Sequence, residues 1–212
     1  MSRHHLVIAT ALLVVCVPRA VQSFSRTVPS AHDREWEHFG PTWALGPLKG
    51  STVLVNDIGV ISYYGVVHAI DAFGLADNEA LRLKRARQFD ALGALAFARR
   101  NGARFAEFQI CWAPIYERLP ESWLLVEAWT GPRNVLFGDL TIGFFAQPGA
   151  PVEELRGVLA RQQPPAGVHR FGLNDPLVRA YNADPSRVHA SLRLCRTAPL
   201  RVIGKPVSVS AE

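Results

Sequence analysis

A chain of 212 residues, 49% hydrophobic and 19% charged, can bury a core and is not a disordered polymer. Its formal charge is +5; without Arg3 and Arg19 it is 21 basic against 18 acidic side chains, or +3. That excess is too small to indicate a nucleic-acid partner unless the basic residues cluster on one face.

The N-terminus carries the clearest address. MSRHH is a short basic start, and residues 6–17, LVIATALLVVCV, form an uncharged, largely apolar run ended by Pro18 and Arg19. A spanning helix needs about 20 apolar residues, so the run fits a signal-peptide core. Cleavage after Ser23 would put Val21 and Ser23 at the small-residue positions. The alternative is an uncleaved anchor extended through Ala20 and Val21. Either way the rest of the chain is expected to be extracytoplasmic, periplasmic or membrane-anchored. Cys16 follows a valine, a poor match to a lipidation site.

Export leaves Cys111 and Cys195, an even number in an oxidising compartment. They are either a disulfide linking the middle of the domain to its C-terminal part or two buried thiols. There is no Cys-x-x-Cys and no His-rich cluster, so no metal or other cofactor is expected.

Residues 1–23 are thus assigned to a signal peptide or anchor, 24–50 to a lead-in connector, and 51–212 to one extracytoplasmic α/β domain. Within the lead-in, AHDREWEHF (31–39) reads as a short helix, and the Gly- and Pro-containing GPTWALGPLKG follows it.

From residue 51 the pattern becomes α/β. VLVND (53–57) is β-branched and apolar and reads as a central strand, with VVHAID (66–71) as a second. Asp77 and Asn78 can cap one long helix over residues 79–100, ended by Asn101-Gly102, with Phe89, Leu92, Leu95 and Ala96 on its inner face. ARFAEFQI (103–110) is a strand, 113–119 a short helix, and LLVEAWT (124–130) a strand. NVLFGDLTIGFFAQ (134–147) is one long strand or a hairpin turning near Gly138-Asp139. Residues 151–162 form an amphipathic helix with Val152, Leu155, Val158 and Leu159 on one side. QQPPAG (162–167) is a loop, and 188–195 and 200–207 are candidate strands. Alternation of strands and helices followed by successive strands predicts a single layered α/β sheet with an antiparallel C-terminal extension.

The stretch at 53–79 raises the functional question, because Asn56, Asp57 and Asp71 interrupt apolar runs, where an unpaired carboxylate is costly. One reading ends a strand at Asn56-Asp57, turns at Ile58-Gly59 and makes 60–64 a short helix. Asp57 and Asp71 then share the carboxyl rim of a sheet, where ligands of open α/β folds bind. The other pairs 53–64 with 66–71 as a hairpin about Gly65.

The residues V-N-D-I-G-x-I-x-Y-Y followed by I-D-x-x-G-L carry a resemblance. Through Asn56, Asp57, Gly59, Tyr63, Tyr64, Asp71, Gly74 and Leu75, residues 20–130 resemble the C-terminal extracytoplasmic domain of bacterial polytopic GT-C type glycosyltransferases. Those enzymes use polyprenyl-phosphate sugars and have many spanning helices, with the catalytic acid in an early extracytoplasmic loop. The resemblance therefore implies an exported module without the enzyme. Its expected partner is a cell-envelope glycan or a membrane glycosyltransferase, with Asn56, Asp57, Tyr63, Tyr64 and Asp71 as candidate ligand residues. The alternatives are a free-standing envelope enzyme that works a glycosidic or phosphate bond with Asp57 and Asp71, or the terminal fragment of a longer glycosyltransferase.

Other motifs are weaker. The basic residues Arg82, Lys84, Arg85 and Arg87 scatter round a helix at about 100° per residue. His68 and Asp71 form a pair without a third ligand. No G-x-S-x-G, G-x-G-x-x-G or Walker pattern occurs. Trp36, Trp43, Trp112, Trp123 and Trp129 can pack a core or stack on sugars.

Overall fold

The computed structural model describes residues 3–27, 35–111, 119–131 and 141–184. Helix α1 (Arg3–Gln22) runs into a π-helical turn at Ser23–Thr27, and its side chains Ile8, Leu12, Leu13, Val14, Val15, Val17 and Val21 are exposed. Among the described residues no helix is long and apolar enough to cross a membrane.

Helix α2 (Glu35–Ala44) starts the packed body. Residues 35–48 do more than lead in to it, because Trp36, Ala44, Leu45 and Leu48 are core residues. Strand β1 (Thr52–Val55) is followed by helix α3 (Gly59–Tyr64) and strand β2 (His68–Asp71). Strands β1 and β2 are parallel, with Thr52 opposite His68 and Val55 opposite Asp71. The strand–turn–helix reading of 53–64 is the one adopted, and the hairpin about Gly65 is excluded.

Two helices, α4 (Asn78–Arg85) and α5 (Ala91–Arg100), replace the single helix expected over 79–100. Arg87 adopts φ 56°, the left-handed conformation that ends helices. Asp90 then accepts the Gly93 amide at 2.8 Å and caps a new helix. The inward face changes with the break: Ala94, Phe97 and Ala98 are buried while Leu92 is 76% exposed. An aspartate that reads as an ordinary helix residue acts instead as a start signal.

Strand β3 (Phe105–Gln109) pairs parallel to β1 on the side away from β2, with Val55 opposite Glu107. Strands β4 (Leu124–Thr130), β5 (Thr141–Ala146) and β6 (His169–Gly172) complete the sheet in the order β2-β1-β3-β5-β4-β6, the last three joined antiparallel. This is the mixed sheet with an antiparallel extension that the element pattern implies. The strands expected at 188–195 and 200–207, and the helix at 113–119 up to residue 118, lie outside the described residues, as do 132–140.

Helix α6 (Val152–Ala160) buries Leu155, Val158 and Leu159 as its periodicity predicts. Strand β6 and helix α7 (Pro176–Ala183) have no counterpart in the sequence reading. Asp175 caps α7 through the Leu177 amide, and the Asn182 amide exchanges two hydrogen bonds of 2.9 Å with the backbone of Leu125.

Helices cover both faces of the sheet. Val53, Val55, Phe105, Phe144 and Trp129 pack with Trp36, Ile61 and Leu155, under α2, α3 and α6. Leu54, Ala106, Phe108 and Phe145 pack with Phe97, Val178 and Tyr181, under α5 and α7. Burial on both faces explains why the strands lack apolar–polar alternation. Trp123 and Trp129 are core residues, and Trp112 lies outside the described residues.

One polar group is built into this interior. The Arg170 guanidinium grips the buried Glu127 carboxylate with bonds of 2.7 and 2.8 Å and donates to the carbonyls of Leu159 and Gln162. The Trp129 indole N–H also donates to Glu127. A fork of donors thus joins β4 and β6 to the C-terminal end of α6.

Candidate functional site at the carboxyl ends of β1 and β3

Parallel crossovers are right-handed, so connections that leave a strand in opposite directions lie on opposite faces. From β1 the chain crosses by α3 to β2; from β2 it returns past β1 by α4 and α5 to β3. The carboxyl ends of β1 and β3 therefore flank a topological switch point, where open α/β sheets leave a crevice. The structure has a depression at this place, lined by His38, Pro41, Asp57, Val60, Ile61, Glu107 and Gln109. Its enclosed part has room for about one water molecule.

Each polar residue there is held by its own element. Asn56 follows β1, and its Oδ1 accepts the Gln109 amide at 3.1 Å, which extends the β1–β3 pairing by one side-chain bond. Asp57 Oδ1 accepts the Gly59 amide at 3.3 Å, and Oδ2 lies 3.5 Å from His38 Nδ1 on α2. Glu107 and Gln109 project from β3 on the same face as Phe105, by the period of two. They are 4% and 3% exposed.

An aromatic shelf lies on α2 and α3, the helices that also contribute lining residues to the depression. On α2, Trp36, Gly40 and Ala44 turn inward at successive fourth positions, so Phe39 and Trp43 project from another face. In α3, Ile61 turns inward and Tyr63 and Tyr64 outward. Phe39 lies 5.5 Å from Trp43 and 5.8 Å from Tyr64, and the Tyr63 and Tyr64 rings meet edge-on at 4.7 Å. Trp43, Tyr63 and Tyr64 are 64%, 77% and 62% exposed. Three exposed rings gathered about the half-buried Phe39 are informative, since single exposed apolar residues are ordinary. Gly131 helps to seat α2: the Trp36 indole lies against it where any Cβ would stand.

The structure separates the five candidate ligand residues. Asn56 and Asp57 reach the edge of the depression, and Tyr63 and Tyr64 belong to the shelf. Asp71 shares the rim but is 1% exposed, and its carboxylate accepts the amides of Phe73, Gly74 and Ala76 at 2.7, 3.0 and 2.5 Å. It holds the β2–α4 loop, in which Gly74 has φ +86° and a Cβ would crowd Leu81. The paired use of Asp57 and Asp71 on a scissile bond loses its second carboxylate, since the two acids are bound separately to backbone amides. His68 and Asp71 are three positions apart on a strand and face opposite sides, so they form no couple.

Among the described residues no group of three or more His, Cys, Asp or Glu side chains could hold a metal ion. In the basic run, Lys84 Nζ lies over the Phe73 ring at 4.3 Å. Cys111 is disulfide-bonded and Cys16 is free and exposed; Cys195 lies outside the described residues. His38, Glu107 and Gln109 escape sequence reading, although an acid in the buried run FAEFQI is the same signal that marks Asp57.

Residues 37–147, more than half of the chain, match the family described as Domain of unknown function (DUF8728), and the chain belongs to that family. The matched region contains the whole depression and shelf. No curated protein and no solved structure matches the chain.

Proposed function

For this member of the family, we propose a noncatalytic glycan-binding module of the cell envelope. The observation that carries the proposal is the shelf of exposed Trp43, Tyr63 and Tyr64 about the half-buried Phe39, on the two helices that line the depression together with Asp57. A pyranose has an apolar C–H face and a rim of hydroxyls; the rings offer flat surface to the first and the carboxylate accepts from the second. If three rings each cover about 100 Å², burial contributes about 7 kcal/mol. Association costs of at least about 4 kcal/mol leave about 3 kcal/mol, a Kd in the millimolar range for one sugar ring. Longer glycans gain by covering more of the shelf.

Binding without catalysis is supported by the separate backbone bonds of Asp57 and Asp71, because hydrolysis needs two carboxyl groups facing one bond. The envelope location is supported by the run at 6–17 and by the disulfide at Cys111, since disulfides persist in oxidising compartments. The N-terminal segment would serve as signal or anchor. The resemblance to extracytoplasmic domains of GT-C glycosyltransferases makes a membrane glycosyltransferase the alternative partner of the same face.

Retention of the secreted chain on immobilised envelope oligosaccharides tests the reading. Retention that free oligosaccharide reverses and that Trp43→Ala removes is expected. No retention on any glycan, or equal retention of the variant, would overturn it.

A further inference from the structure

We infer that Cys111 is bonded to Cys195, and that this disulfide staples the C-terminal part of the chain to the carboxyl end of β3. The inference stands apart from the glycan-binding reading and needs only an oxidising compartment.

The chain has three cysteines. Cys111 is disulfide-bonded, and Cys16 on α1 is free and exposed. A disulfide takes two sulfurs, so within one chain the partner of Cys111 is Cys195. Cleavage after Ser23 would remove Cys16 and leave the pair with no third thiol in the chain to attack it.

The position of Cys111 decides what the bond holds. Strand β3 ends at Gln109, and the amide of the fully buried Ile110 then donates to the Thr141 carbonyl at 2.8 Å. Cys111 follows at once and is half-buried, so its backbone leaves the sheet from a fixed point. A disulfide holds its two Cα atoms within about 7 Å of each other. The bond therefore ties Cys195 to the end of the sheet that carries Glu107 and Gln109. The described body runs to α7, where Val178 and Tyr181 enter the core. The staple adds a covalent tie between that body and the chain that follows it.

The bond closes a loop on the order of 100 residues, and closure of long loops restricts the unfolded chain most. Its formation turns two thiols into one disulfide and releases two protons and two electrons. An acceptor disulfide, on a dithiol oxidoreductase or a small molecule, takes them up and leaves as two thiols. The chain thus has its full stability where such acceptors prevail and less where thiols are kept reduced.

Tryptic mapping of the chain without reductant should yield residues 105–118 joined to residues 194–196, and reduction should separate them. Free thiols at both positions, or Cys111 joined to Cys16 or to a second copy of the chain, would overturn the inference. Cys111→Ser and Cys195→Ser should each melt about 10 °C below the oxidised wild type. The double variant should melt with the single ones, because either change breaks the same bond. Reduced wild type should melt with them as well, and reductant should leave the variants unmoved. Additive losses in the double variant, or a reduced wild type that melts with the oxidised form, would overturn the staple. None of these readouts depends on sugar, so failure here leaves the shelf standing.

Discussion

Asn56 Oδ1 accepts the backbone N–H of Gln109 at 3.1 Å and so ties the end of β1 to the end of β3 across the switch point. The bond lies beyond the regular ladder, where the two strands would otherwise diverge. Asn56→Ala leaves a part-buried amide without a partner and should cost about 1–3 kcal/mol in urea unfolding. Asn56→Asp, which keeps the acceptor, should cost less. Equal losses in the two variants would show that the side-chain bond does not hold the strands.

Asp71 and Asp57 should behave differently although both lie on one rim. Asp71→Ala strands the amides of Phe73, Gly74 and Ala76 and should destabilise by about 3 kcal/mol. Asp57 makes one exposed hydrogen bond of 3.3 Å and a partly exposed 3.5 Å contact with His38, both of which water can replace, so Asp57→Ala should change stability by no more than about 0.5 kcal/mol. Denaturant midpoints of the two variants check this. A larger loss at Asp57 than at Asp71 would reverse the assignment of scaffold and ligand residue.

The Glu127–Arg170 pair gives a third expectation. Arg170→Met leaves a carboxylate that is 8% exposed without its fork and should cost about 3 kcal/mol. Replacing both residues by leucine should cost less than the single change, because no charge is then left buried. A double variant that is additive in guanidinium unfolding would mean the two residues act independently.

Much of this layout is legible in the sequence. The apolar, β-branched runs at 53–55 and 124–130, and the amphipathic spacing of Leu155, Val158 and Leu159, name their own elements. The Asp-Ile-Gly turn and the short helix after it also follow from local chemistry. The break between α4 and α5 does not, because it depends on Asp90 acting as a cap and on Phe89 packing against Phe97, 5.6 Å away. Strand β6 is half-exposed and lacks an apolar run; it is held by Arg170 reaching Glu127, a contact 43 positions apart. The candidate site is divided in the same way. Asn56, Asp57, Tyr63 and Tyr64 announce themselves in one stretch, whereas His38 and Gln109 join them only through the fold.

The central claim is that Trp43 and its neighbouring rings bind sugar. Tryptophan emission during titration with methyl glucopyranoside, methyl galactopyranoside and methyl mannopyranoside tests it most directly, since among the described tryptophans Trp36, Trp123 and Trp129 are buried and Trp43 is exposed. A saturable emission change, absent in a Trp43→Ala variant whose stability stays within about 0.5 kcal/mol of wild type, is the predicted result. No saturable change with any sugar, or a change that survives Trp43→Ala, would contradict it.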